Sequence, residues 1–288
     1  MRTVNPAFAP PAIKLPHDPL GVFKNSKTPG GLYARQKWLG QEKAEAWQRD
    51  YREVVIQLRS GQLPNGSWDN SIVSTIQRLF GLHLTVRNAD ASIDHAIDWL
   101  LNVELLQSFI NTPKRQTEKI APDALHNLPF TKGCFGHFAI GAILFHATNF
   151  DREKDERVLE MYERLSQMIE KEHGRLCSGS CMNNILRAFI VHPQYAHGKA
   201  MQMAVDMLEH LQEPSGKWLS HIPFYQTVNI LAHLEFGSAD AQLRFAFQRL
   251  LTTQNRDGTW GKTQREWNTF LIVHAIKRKN SVLKIFLD

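Results

Sequence analysis

Two short patterns in this 288-residue chain place soft and nitrogen ligands at helical spacing: Cys134-x-x-His137 and Cys177-x-x-x-Cys181. Separations of three and four put each pair on one face of a helix. Three thiols and an imidazole brought together could hold tetrahedral zinc. The same residues admit a nucleophilic reading, in which Cys134 or Cys177 attacks a substrate with His137 as its base. They also admit a packing reading, with small apolar cysteines fitted to crowded helix starts and His137 merely hydrogen-bonded. The spacing matches no established closed zinc motif, so the sequence leaves all three open. Acids are few: Asp69 and Glu266 are the catalytic candidates, and Asp69 also reads as a helix N-cap. Lys132, Arg187 and Arg265, with Arg35 and Arg78 behind them, could hold an anionic group. Each could equally pair with a carboxylate on a neighbouring helix or reach solvent.

A repeat must position these residues. Its landmark is the turn Gln254-Asn255-Arg256-Asp257-Gly258-Thr259-Trp260, and stepping back 42 residues reaches Trp218 in Gln212-Glu213-Pro214-Ser215-Gly216-Lys217-Trp218. Two further steps land on Leu176 and Cys134; an earlier copy is Pro64-Asn65-Gly66-Ser67-Trp68, displaced by the insertion Gln107 to Phe130. A period in this range marks stacked helical pairs, none able to bury its apolar face alone. Before each turn comes an amphipathic helix with a charged face, expected over 43–59, 92–106, 153–170, 199–211 and 239–252. After it comes a helix with few charges, expected over 70–84, 135–147, 180–191, 223–234 and 265–277. The segment Thr28 to Trp38, with Pro29 suited to an early helical position, supplies a sixth inner helix. Six inner helices close into a ring, and the tail Ser281 to Asp288 is expected as the stub of a sixth outer helix. No Gly-rich phosphate loop and no alternating strand pattern occur. The expectation is an all-α fold, an (α/α)6 toroid over 29–288, preceded by an extended arm over 1–28.

Apolar residues make up 43% of the chain and charged residues 22%, enough for a substantial core. The net charge of +6 suits an anionic ligand or peripheral contact with a membrane surface. It does not point to nucleic acid, because the cations are scattered rather than gathered on one stripe. The one basic cluster, Lys277-Arg278-Lys279, is expected to follow the last helix and to complement its dipole. With no signal-type apolar segment, no membrane span and an odd three cysteines, the chain reads as cytoplasmic and reduced.

Counting from the landmark puts the inner helices in register. Three positions on come Ser71, His137, His221 and Thr263; seven on, Thr75, Asn183, Tyr225 and Trp267; eight on, Asn184, Gln226 and Asn268. Buried amides at such positions need partners. They either bond helix to helix or line a pocket with polar groups near the turns. In the second case Phe138, Phe224, Tyr225 and Trp267 form its apolar wall and Asn268 a polar contact.

The Gln-x-x-x-Gly-x-Trp turns resemble the repeats of the squalene cyclase and protein prenyltransferase superfamily, over roughly Thr28 to Lys279. The resemblance implies a toroid whose central cavity holds an isoprenoid, in some members with zinc as cofactor and a second protein subunit. It also implies catalytic signatures, and there the chain departs. The Asp-x-Asp-Asp acid of the protonating cyclases does not occur. In Lys132-Gly133-Cys134 the prenyltransferase zinc cysteine is kept but Lys132 replaces its acidic partner, and Asn268 stands about where the ligand histidine is expected. Two functions are consistent with this. One is binding and transformation of an apolar isoprenoid-like substrate in the ring, with Asp69 or Glu266 as an unconventional acid or the Cys/His group as the reactive centre. The other is a non-catalytic toroid that binds a protein partner.

Overall fold

The computed structural model describes residues 13–103, 120–283 and 285–286. Among them are eleven α-helices that alternate between an inner and an outer ring. The inner set is α1 (Pro29–Lys37), α3 (Ile72–Thr85), α5 (Phe135–Asn149), α7 (Gly179–Phe189), α9 (Phe224–Leu231) and α11 (Arg265–Leu283). The outer set is α2 (Glu45–Arg59), α4 (Ala91–Leu101), α6 (Glu156–Lys171), α8 (Lys199–His210) and α10 (Gly237–Thr253). Each inner helix packs on the next, and α11 returns to pack on α1, so the ring is closed. At that seam the hydroxyls of Ser26 and Thr28 donate to Glu266 Oε1 at 2.7 and 2.5 Å.

The layering follows from composition. On α6, Val158, Met161, Tyr162, Leu165 and Ile169 recur at helical spacing and are fully buried, while charged side chains cover the other face. By contrast α5 is buried on nearly every side, as an inner helix enclosed by two neighbours and its outer partners must be. Helix starts are set by local caps: Thr28, Ser71 and Ser178 accept from Gly31, Ser74 and Cys181 amides. Ser71 therefore caps α3 in place of Asp69, which stands exposed in the turn at φ 58°.

The repeated turns act as staples between hairpins. Gln62 Nε2 donates to Gly66 O within its own turn (2.9 Å) and to Ser92 O at the next outer helix (2.8 Å). Gln212 does the same with Gly216 O and Gln242 O, at 3.1 and 3.0 Å. The turn glycines 66, 174, 216 and 258 have φ between 81 and 91°. A Cβ at any of the four would collide with a carbonyl oxygen of the next unit: His95, Met203, Phe245 and Asp18 in turn. The fourth contact shows what fills the sixth outer position. There Gln254 exchanges hydrogen bonds with the backbone of His17, at 2.9 and 3.1 Å, so the N-terminal arm replaces a helix.

The tail departs from expectation accordingly. Residues 281–283 extend α11, and β2 (Ile285–Phe286) pairs in parallel with β1 (Ile13–Lys14) instead of starting an outer helix. The basic cluster straddles a kink in α11: the Lys279 backbone leaves the helical region (φ −115°, ψ 21°), and its ammonium is buried between Glu235 (3.4 Å) and Asp240 (3.0 Å). Residues 107–119 of the insertion lie outside the described residues. The remainder of it crosses the ring: Gln77 on α3 donates to Ala124 O (2.7 Å), Trp267 on α11 to Leu128 O (2.9 Å), and Asn184 on α7 to Thr131 O (2.9 Å). Phe130 packs edge-on against Phe138 and Phe145 of α5. This segment thus bridges three inner helices, and its Pro129 helps to wall the cavity described below. Among the described residues no helix is long and apolar enough to cross a membrane.

Candidate functional site

Two places in the toroid gather chemistry-bearing side chains, one at each end of the inner helices. At the turn end, Cys134 is the N-cap of α5 and Cys181 lies in the first turn of α7. Because α5 and α7 are adjacent, Cys134, His137, Cys177 and Cys181 converge, with their ligating atoms all within 4.8 Å of one another. His137 Nδ1 lies 3.0 Å from Cys134 Sγ and 3.3 Å from Cys177 Sγ. Cys134 Sγ lies 3.9 Å from Cys177 Sγ and 3.5 Å from Cys181 Sγ. Cys134 and Cys177 are exposed, Cys181 is buried, and all three are free of disulfides. The Cys134 amide donates to Cys181 Sγ, and the close contact between the two sulfurs holds the Cys181 thiol well below the usual thiol range and pushes Cys134 up. Beside Cys177 opens a hollow of about 470 Å³ walled by Met182, Met207, Leu208, Leu211 and Ile222.

The other place is a cavity of about 400 Å³ at the C-terminal end of the inner helices. Tyr33, Phe80, Phe145, Trp267 and Phe270 line it. Trp267 and Phe270 stack at 5.1 Å, and Phe80 meets Trp267 edge-on at 5.7 Å. Its polar lining is three guanidiniums, Arg87, Arg187 and Arg278, and three imidazoles, His83, His233 and His274, with Asn149 and Asn229. None of the described lining residues is a carboxylate. Arg187 is buried, donates to Asn229 Oδ1 (2.6 Å) and Gln226 O (3.2 Å), and keeps an Nε with no protein partner. Arg87 lies over the Tyr33 ring at 4.8 Å and likewise has an unpartnered Nε. Burial lowers Arg187 to about 9. Burial first, and then the nearby arginines, lower His83 and His274 to about 4, and burial with the His274 ring lowers His233 well below its usual value. The cavity at neutral pH is therefore aromatic and cationic, with uncharged imidazoles.

Of the substrate-binding candidates read from sequence, Arg187 and Trp267 line this cavity and the others stand elsewhere. Lys132 is exposed near the cluster. Arg265 is exposed and pairs with Asp257, while Arg35 is buried against Asp50 at 2.8 Å. Phe138 packs in the core against Phe130 and Phe135. Phe224 and Tyr225 meet each other edge-on near Trp218. Asn268 donates to Thr263 O at 2.9 Å, closing its own turn. Asn183 reaches Thr227 Oγ1 at 3.0 Å and Asn184 reaches Thr131, so these amides bond between elements rather than line a pocket. Glu266 holds the α1–α11 seam, and Asp69 is exposed on the turn face.

Part of the lining does carry a signal, shared with Arg187. Eleven positions after the landmark come Phe145, Arg187, Asn229 and Leu271; fifteen after it come His83, Asn149, Val191 and His233. All eight line the cavity, one helical turn apart on one face. The same register reaches His83 and His233 but not Arg87, His274 or Arg278, which lie off those two positions.

Closed alternation of six inner helices with outer partners, turn staples and a central cavity is the arrangement expected of the isoprenoid-handling toroids. The fold is that of the terpenoid cyclases. Type II terpene cyclase MstE from Scytonema superposes with a TM-score of 0.54 at 11% identity, over 89% of this chain and 88% of that one. A variant of that cyclase in complex with geranylgeranyl dihydroxybenzoate, its substrate, gives 0.53 at 10% identity over the same shares. A protein from Actinoplanes gives 0.52 at 16% identity over 89% of each chain. No family's sequence profile and no curated protein matches the chain. At such identities the likeness establishes the terpenoid-cyclase architecture alone.

Proposed function

We propose that the protein binds and transforms an isoprenoid-like molecule with an anionic head in the cavity between Trp267 and Arg187. The observation that carries this reading is the pairing, in one 400 Å³ hollow, of an aromatic wall with three guanidiniums that no described carboxylate neutralises. A hollow of this size lies within the usual range of small-molecule sites. Tyr33, Phe80, Trp267 and Phe270 would shield an apolar chain and offer ring faces to developing positive charge. Arg87, Arg187 and the exposed Arg278 would hold a diphosphate or carboxylate, and the buried, unpartnered Nε atoms of Arg87 and Arg187 give those two reason to. Fold-level analogy adds support, because the cyclase that shares the architecture takes a geranylgeranylated substrate. In this reading the protein works in the reducing cytoplasm.

The test is direct binding of farnesyl and geranylgeranyl diphosphate and of the matching alcohols, followed by tryptophan fluorescence. Diphosphates are expected to bind, and alcohols at least about tenfold more weakly, the equivalent of one lost charge-assisted contact. Arg187→Met and Trp267→Ala should each weaken diphosphate binding by a similar factor. Absence of binding, or binding indifferent to both substitutions, would refute the proposal and favour a toroid that binds a protein partner.

A further inference from the structure

The zinc site implied by resemblance to the prenyltransferases is not what this chain builds. Lys132 is exposed where an acidic ligand would stand, and Asn268 is committed to Thr263 O. We propose instead that Cys134, His137, Cys177 and Cys181 form a closed, structural zinc site that clips α5 to α7 at their N-terminal ends.

Four observations support it. First, the donor set is complete: three sulfurs and one imidazole nitrogen suit tetrahedral zinc, and soft thiolates select it over hard cations. Second, the spacing is right before any metal enters. A zinc ion with Zn–S near 2.3 Å sets its sulfurs about 3.8 Å apart; here two sulfur pairs stand at 3.9 and 3.5 Å. Third, the surroundings hold the ligands in place. The Cys134 amide donates to Cys181 Sγ at 3.2 Å, Ser178 fixes the Cys181 backbone, and Gly133 leaves room where a Cβ would lie 3.0 Å from that sulfur. Both helices also direct their N-termini at the thiolates.

The fourth observation is positional. Three landmark turns carry a buried tryptophan whose Nε1 staples the turn to an outer helix: Trp68 to Ser60 O and Trp260 to Leu250 O at the end of their own, and Trp218 to Gln242 Oε1 on the next. The two consecutive landmarks without tryptophan are Cys134 and Leu176. They begin the two helices that the cluster joins. The metal clip thus occurs where the tryptophan staple is missing.

The experiment uses the full chain, purified with reductant, without added metal and with any affinity tag removed. About one zinc per chain is expected, and Cys134 and Cys177 should resist alkylation until a chelator strips the metal, although both are exposed. Cobalt added to the stripped protein should give the visible bands of a tetrahedral ion with sulfur-to-metal charge transfer, and zinc should displace it. Cys177→Ser is the decisive variant, since an exposed thiol can be lost without disturbing the core, and circular dichroism checks the fold. It and His137→Ala should each lower zinc affinity about tenfold or more. The proposal is overturned if iron replaces zinc, or if the purified protein is metal-free with thiols fully alkylated. A mass showing a disulfide, octahedral cobalt without charge transfer, or unchanged affinity in Cys177→Ser would each overturn it as well.

Discussion

The two ends of the inner ring treat buried polar groups in opposite ways. At the turn end nearly every one is satisfied within the chain: Gln62, Gln212 and Gln254 bridge two carbonyls each, and Asn184 takes both hydrogen bonds of Thr131. At the far end, Arg87 and Arg187 keep unpartnered nitrogens and three imidazoles stay neutral around open volume. A satisfied network rigidifies a fold, whereas convergent unsatisfied groups facing a cavity mark where a ligand completes them. The insertion lies between the two, since residues 120–131 bond to α3, α11 and α7 and contribute Pro129 to the cavity wall.

The sharpest break of this contrast is at a turn tryptophan. Trp260 is fully buried and bonds Leu250 O at 2.9 Å, so Trp260→Ala should cost about 3–5 kcal/mol in denaturant unfolding. A loss below about 1 kcal/mol would mean that the staples hold little.

The cavity end should answer to pH instead. His83 and His274 are lowered to about 4 and the deeply buried His146 on α5 to about 3, in each case chiefly by burial. From about pH 6.5 down to about 4 the unfolded chain takes up protons that the folded one refuses. Stability must therefore fall as pH falls through that window, on the order of 2 kcal/mol for each imidazole. Unfolding midpoints at pH 7, 5.5 and 4.5 test this. A flat profile would contradict the burial of uncharged rings. A bound prenyl diphosphate should flatten the profile from the ligand side, because its charge favours His274 protonation.

Arg187 separates function from stability. Its guanidinium is buried without a carboxylate, so Arg187→Met should change unfolding free energy by no more than about 1 kcal/mol while diphosphate binding falls. A loss of about 3 kcal/mol or more would make Arg187 a structural residue like Arg35.

Much of the architecture was legible because the repeat is local. The helix starts at Phe135, Lys199 and Arg265 and the end at Arg59 fall where the periodicity places them, and Pro29 opens α1. The Cys/His convergence was legible too, since adjacency of α5 and α7 follows from the order of repeats. The ligand end was not. Which half of the ring stays open depends on where residues 120–131 cross it, and no periodicity encodes that. The kink of α11 at Lys279 was equally hidden, because the ammonium there is held by Glu235 and Asp240 about forty residues upstream.

The smallest expected effects lie on either side of Cys134, and they have opposite signs. Gly136 is in the first turn of α5 with nothing within 4 Å of an added Cβ, so Gly136→Ala should stabilise by up to about 1 kcal/mol through helix propensity. Gly133 is three residues earlier, where a Cβ would stand 3.0 Å from Cys181 Sγ and 3.2 Å from the Cys181 amide. Gly133→Ala must push that sulfur by a few tenths of an ångström, which should cost under about 1 kcal/mol in metal-free protein. In the loaded protein the same displacement strains a four-ligand site that tolerates little error, so the cost should grow when zinc is present. The measurement is the difference between the two glycine variants with and without zinc. A Gly133→Ala penalty that ignores zinc would leave Gly133 a packing residue and detach it from the cluster.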